Sequence, residues 1–155
     1  MPSLAGNYNP AVGVILQVAI FDPTQIASFS AALPQQGAQN IPNLMLFAAL
    51  LDTGASVTCI SNNVVQKLGL QPSGKTSMSG STGARTVDQY TFGVGLIFGA
   101  QQTATGAFNG QLNLHMVQGC EFTHHGFGFD VLIGRDILCK GCFSMSFDGH
   151  FILSL

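Results

Sequence analysis

Charge is what this chain has least of: Asp, Glu, Lys and Arg make up 8% of its 155 residues, and the formal net charge is −2. With only five Lys and Arg residues, no basic surface is available to attract a phosphate backbone, so no nucleic-acid partner is expected. No Lys or Arg precedes Lys67. The apolar stretch from Ala11 to Phe21 therefore lacks the positive flank of a secretory signal, and it is too short to span a bilayer. The expectation is a soluble, cytoplasmic chain with no membrane partner.

Several catalytic signatures are missing as well. There is no Gly-x-Ser-x-Gly elbow, Gly74-Lys75-Thr76 lacks the upstream glycine of a phosphate loop, and Gly93, Gly95 and Gly99 lie along a strand-like run with no helix after it. Cysteine offers one tight pair, Cys139 and Cys142, where structural zinc sites usually show two. A ligand set extended to Cys120, His124 and His125 can be drawn but is disfavoured, and no metal or cofactor is expected. Cys59 reads as a small core residue, and Cys139 and Cys142 as reduced thiols at a helix end. His115 and His150 have no nucleophile near them in sequence and read as surface or satisfied histidines.

What is present points to one all-β domain spanning residues 1–155, a length typical of a single domain. Strands are expected from Val12 to Ile20, Asn43 to Leu51, Val57 to Ile60, Tyr90 to Phe98 and Gln111 to Val117. The segment from Asp22 to Pro42, punctuated by Pro23, Pro34, Gly37 and Pro42, is expected to be an exposed connector. Ser61 suits the N-cap of a short helix from Asn62 to Leu68, with Gly69 as its stop. Phe143 to Phe147 and Phe151 to Leu155 flank Asp148-Gly149-His150, a hairpin signal. In Leu50-Leu51-Asp52-Thr53-Gly54-Ala55-Ser56 a carboxylate ends an apolar run. Such a carboxylate is costly unless nearby groups hydrogen-bond it, and a glycine two residues on lets backbone amides approach it.

Asp52-Thr53-Gly54 resembles the active-site motif of aspartic proteases, and it occurs once: Asp22, Asp88, Asp130, Asp136 and Asp148 lack a following Thr-Gly or Ser-Gly. Aspartic-protease chemistry uses two facing carboxylates that share a proton. A single motif therefore resembles the dimeric, retroviral-type branch, the retropepsin-like family. Asp130-Val131-Leu132-Ile133-Gly134-Arg135-Asp136-Ile137-Leu138 is similar to the Ile-Gly-Arg-Asp/Asn stretch of that family, in which Ile133, Gly134, Arg135 and Asp136 would pack beneath the active-site loop.

The resemblance implies a retropepsin-like acid-protease fold: a closed or partly open β-barrel-like lobe with one or two short helices and a flap hairpin. It implies an aspartic endopeptidase acting as a homodimer on peptide or protein substrates. Asp52 would be catalytic, with Thr53, Gly54 and Ala55 supporting the loop, and Ser79, Gly80, Ser81, Thr82 and Gly83 would form the flap. Apolar pocket walls would set specificity. Phe151 to Leu155 would be an interface strand. Ala55 lacks the hydroxyl that pepsin-like sites often carry there, which implies activity in mildly rather than strongly acidic solution. Ser56 stands where retroviral enzymes have an aspartate that pairs with the arginine, so Arg135 needs another partner, with Asp136 and Asp130 as candidates. A catalytically weak binding or assembly module on the same fold is the alternative function.

Overall fold

The computed structural model describes residues 1–25, 39–41, 45–80, 83–102, 108–123 and 126–155. Alternation in Leu46-Phe47-Ala48-Ala49-Leu50-Leu51 makes strand β4 (Leu46–Leu51), which turns Phe47, Ala49 and Leu51 into the core. Around it stand β2 (Ile15–Phe21), β5 (Cys59–Ser61), β7 (Gly83–Gln102), β8 (Phe108–Phe122) and β9 (Val131–Ile133). They hydrogen-bond in the order β8-β5-β9-β4-β2-β7, and β7 pairs again with β8. This closes a six-stranded barrel and leaves no unpaired edge within it. Most of the pairing is antiparallel. β4–β9 and β5–β8 are the parallel pairs, so the chain enters and leaves the Asp52 loop on strands that are not hairpin partners.

Five further described strands lie outside the barrel. β6 (Gly74–Gly80) pairs with the first part of β7, and β3 (Gln39–Ile41) pairs with β8. β1 (Ser3–Asn7), β11 (His150–Ser154) and β10 (Cys142–Met145) make a separate sheet in the order β1-β11-β10, from which Phe151 and Leu153 reach into the core. Phe92, Ile60, Ile133, Ile137 and Leu153 are the largest wholly buried side chains, so the barrel, the terminal sheet and the second helix share one core.

Local chemistry sets the element ends. Ser61 caps helix α1 (Asn62–Leu68) by accepting from the Val64 amide at 3.3 Å, and Gly69 closes it with φ 64°. The hairpin joining β10 to β11 turns at Asp148-Gly149, where Gly149 has φ 86°. Helix α2 (Arg135–Leu138) follows β9 directly. Gly95 serves packing: a Cβ there would meet Phe21 and Leu112 side-chain carbons at 2.8 Å. Among the described residues, no helix is long and apolar enough to cross a membrane.

Several expectations need correction. Gln39–Ile41, inside the expected connector, is strand β3 held by β8, whereas residues 26–38 and 42 lie outside the described residues. β2 begins at Ile15, because Asn9 accepts from the Val12 and Gly13 amides and turns the chain there. β4 begins at Leu46, and Asn43 lies outside the described residues. The strands expected at Tyr90–Phe98 and Gln111–Val117 are the middles of much longer ones. β11 is paired on both sides within the chain, so the edges of the terminal sheet are β1 and β10.

The barrel closes tightly at Gly119, where a Cβ would stand 2.0 Å from the Thr58 carbonyl oxygen. Gly119→Ala is expected to destabilise the fold by about 1–3 kcal/mol through forced backbone displacement. Urea unfolding measures this, and a change under about 0.5 kcal/mol, the size of an ordinary surface substitution, would refute the close approach.

Candidate active site

Asp52 follows the last residue of β4 and is half-buried, while Thr53 and Gly54 are exposed. Its amide donates to the Ile133 carbonyl at 2.9 Å, continuing the β4–β9 ladder one residue further. Its carboxylate accepts from the Gly54 amide at 2.8 Å, and its carbonyl accepts from the Ala55 amide at 3.2 Å. A Cβ on Gly54 would stand 3.1 Å from the carboxylate oxygen, which is why the smallest residue suits this position. One carboxylate oxygen is thus fixed by backbone, and the side chain sits at a surface rather than in a closed cavity.

The loop is held from below by the segment running from β9 into α2. The Arg135 amide donates to the Ala55 carbonyl at 3.0 Å, and its guanidinium Nη1 donates to the Thr53 carbonyl at 3.1 Å. Thr58 is wholly buried and lies at the centre of a second set of bonds. Its amide and its Oγ1 donate to the two oxygens of Asp136 at 3.0 and 2.7 Å, while Oγ1 accepts from the Gly134 amide at 3.1 Å. Gly134 is where the two backbones cross. A Cβ there would meet Val57 C and O at 2.5 and 2.7 Å and the Thr58 nitrogen at 2.9 Å, all main-chain atoms that cannot move aside alone.

Ile133, Gly134, Arg135 and Asp136 therefore meet the Asp52 loop and the chain leaving it in space. Arg135 takes a backbone carbonyl, and among the described residues it forms no ion pair with Asp136 or Asp130. Both carboxylates are engaged elsewhere. Asp130 accepts from Ser61 Oγ at 2.7 Å and Asn63 Nδ2 at 3.0 Å, tying the start of β9 to the start of α1. Ser61 thus donates to Asp130 while capping the helix, and Thr58 and Ser61 are the buried polar side chains of this region. Neither the Thr58–Asp136 nor the Ser61–Asp130 bond was visible in sequence, because both span more than sixty residues.

Gly80 and Gly83 are the last register pair of the β6–β7 hairpin, and Gly83 has φ 111°. Ser79 is exposed just before them, and Ser81 and Thr82 lie outside the described residues. The hairpin and the loop after Asp52 border a common cleft of about 330 Å³, with Ser56 and Val57 on one side and residues 76–79 on the other.

The remaining reactive groups lie apart. Cys59 and Cys120 are a buried register pair across β5 and β8, where burial pushes the Cys59 thiol up to about 12 and raises that of Cys120. Cys139 and Cys142 are free, exposed thiols. Among the described residues no three His, Cys, Asp or Glu side chains gather as a metal site, and His124 and His125 lie outside that set. His150 pairs with Asp148 at 3.2 Å. His115 departs from expectation: its Nε2 is buried without a partner, and burial, with Lys140 beside it, lowers its affinity for a proton.

The family model described as aspartyl protease matches residues 46–136, from the first residue of β4 to the Asp136 that holds Thr58. No curated protein matches the chain. Among solved structures, a retropepsin-like aspartic protease from Rickettsia conorii aligns with a TM-score of 0.50 at 15% identity, covering 97% of this chain and 89% of that chain. At that identity the likeness is one of fold.

Thr58→Val is expected to lower stability by about 1–3 kcal/mol, because it strands the buried Gly134 amide and takes one of the two bonds from Asp136 Oδ1. Thr58→Ser keeps the hydroxyl and should cost roughly half as much or less. Paired denaturation curves measure the difference, and equal losses would mean that the methyl group, not the hydrogen bonds, holds the crossing.

Proposed function

The chain belongs to the aspartyl protease family, and from that premise we propose that it is an aspartic endopeptidase whose catalytic pair is completed by a second copy of itself. One observation carries the reading: the Asp52 carboxylate is oriented by the Gly54 amide at 2.8 Å on an accessible loop that the β9–α2 segment braces at several points. So many contacts fixing one half-buried carboxylate make physical sense for a group that must be preorganised.

In the assembled dimer, two Asp52 carboxylates share one proton and hold a water between them. The ionised one takes a proton from that water as its oxygen attacks the peptide carbonyl carbon. The protonated one gives its proton to the carbonyl oxygen. Collapse of the tetrahedral intermediate re-forms the carbonyl, breaks the C–N bond and sends a proton to the leaving amine. Thr53, exposed beside Asp52, meets its counterpart across the two-fold axis in this reading, by analogy with the family. The β6–β7 hairpin acts as the flap. Because β6 is an edge of its sheet, an extended peptide can pair with its free backbone. The partner docks through the terminal sheet, at the β1 or β10 edge or across the face that exposes Ile152. Four free cysteines fit the reducing cytoplasm in which we place the protein.

Wild-type protein digesting a diverse peptide library is expected to cleave, with an optimum in mildly acidic solution. Asp52→Asn is expected to lose roughly a thousandfold or more in kcat, while sedimentation shows both proteins as dimers. Cleavage that survives in Asp52→Asn overturns the mechanism, and a folded dimer that cleaves nothing points to the binding-module alternative.

A further inference from the structure

The cleft beside Asp52 differs from the apolar pocket expected of it. The residues that line it include Ser56, Thr76, Ser77, Ser79, Gln89 and Gln118, all polar and all uncharged. Val57, Met78 and Cys120 add apolar atoms, and among the described residues no Asp, Glu, Lys, Arg or His lines it. Among the described residues, none of those six polar side chains has a hydrogen-bond partner. This contrasts with the bracing beneath the loop, where Thr58, Ser61, Asp130 and Asp136 are all engaged.

Position adds a second constraint. Residues 76–79 are consecutive in β6, and side chains of a strand alternate between its faces. Four in a row can border one cleft only if the strand's edge faces it, and β6 is the edge strand of its sheet. A segment lying along that edge has its backbone toward β6 and one side chain directed toward Gln118 on β8 and Ser56 on the active-site loop.

We propose that this cleft is a subsite selecting an uncharged, hydrogen-bonding side chain, asparagine or glutamine, from an extended peptide near the scissile bond. The inference rests on the endopeptidase reading for what the peptide is doing there. A carboxamide offers two donors and one acceptor, and glutamine amides and hydroxyls answer both. An ionised side chain would find no countercharge. An aliphatic one would leave the amides of Gln89 and Gln118 without partners once water is displaced, and a site built on hydrogen bonds discriminates strongly against analogues that lack them.

The test compares peptides that differ only by Asn or Gln against the near-isosteric Leu, and against Asp or Glu, at each position flanking the cleaved bond. At one position the wild type is expected to favour the carboxamide over both alternatives by about tenfold or more in kcat/KM, a preference that shrinks to about twofold in Gln118→Leu. Cleavage with no carboxamide preference at any position overturns the subsite and leaves the protease intact. Should the wild type cleave nothing, the endopeptidase reading fails by itself, and equilibrium binding of the same peptides to Asp52→Asn decides the subsite. Tighter binding of the carboxamide peptides, lost in the Asp52→Asn, Gln118→Leu double variant, supports it. Equal or absent binding overturns it.

Discussion

The crossing of two backbones at Gly134 and Thr58 is the constraint on which the site depends. Strand β9 and the chain leaving the Asp52 loop approach until no side chain fits between them, and the approach is held by Thr58 and the Asp136 carboxylate. A buried carboxylate is stabilising only when its oxygens are satisfied. Asp136 takes two bonds from Thr58 and a third from the Ile137 amide at 3.1 Å. From that fixed point, Arg135 reaches forward to two carbonyls of the loop, and the β4–β9 ladder continues to the Asp52 amide. The loop that carries Asp52 therefore inherits its position from the barrel core, and the Gly54 amide orients the carboxylate within it.

The barrel also divides the labour of the chain. Strands β2, β4, β7 and β9 carry the wholly buried Val18, Ala49, Phe92, Val94, Val131 and Ile133, so that wall is rigid and apolar. Polar side chains gather at two levels. Those beneath the loop are paired and structural, and those lining the cleft between the loop and β6 have no side-chain hydrogen-bond partner among the described residues. The low charge of the chain is reflected in a cleft whose polar described residues are neutral hydroxyls and amides.

Much of this was legible in the sequence where the signal is local. Asp52-Thr53-Gly54, the Ile133 to Asp136 stretch, the Ser61 and Gly69 caps and the Asp148-Gly149 turn each act within a few residues, and the fold has a cap, a turn or a packed loop at each. Signals that depend on distant partners were not legible. Ser3 to Asn7 shows little strand character, since it contains Gly6 and Ala5, and becomes β1 because β11 lies beside it. Gln39–Ile41 becomes β3 for the same reason, inside a segment whose prolines read as connector. Arg135 could not be assigned from charge, because its partners are main-chain carbonyls. The polar cleft was missed because its lining comes from four separate stretches of chain, none of which is unusual alone.

The central claim is that two copies of Asp52 make one active site, and subunit mixing tests it most directly. Wild type and Asp52→Asn are unfolded together, refolded at varied ratios and fixed total concentration, and assayed for peptide cleavage. If each site needs both carboxylates, a mixed dimer is inactive and activity follows the square of the wild-type fraction. A linear fall would mean that each copy of the chain works alone, and would contradict the account.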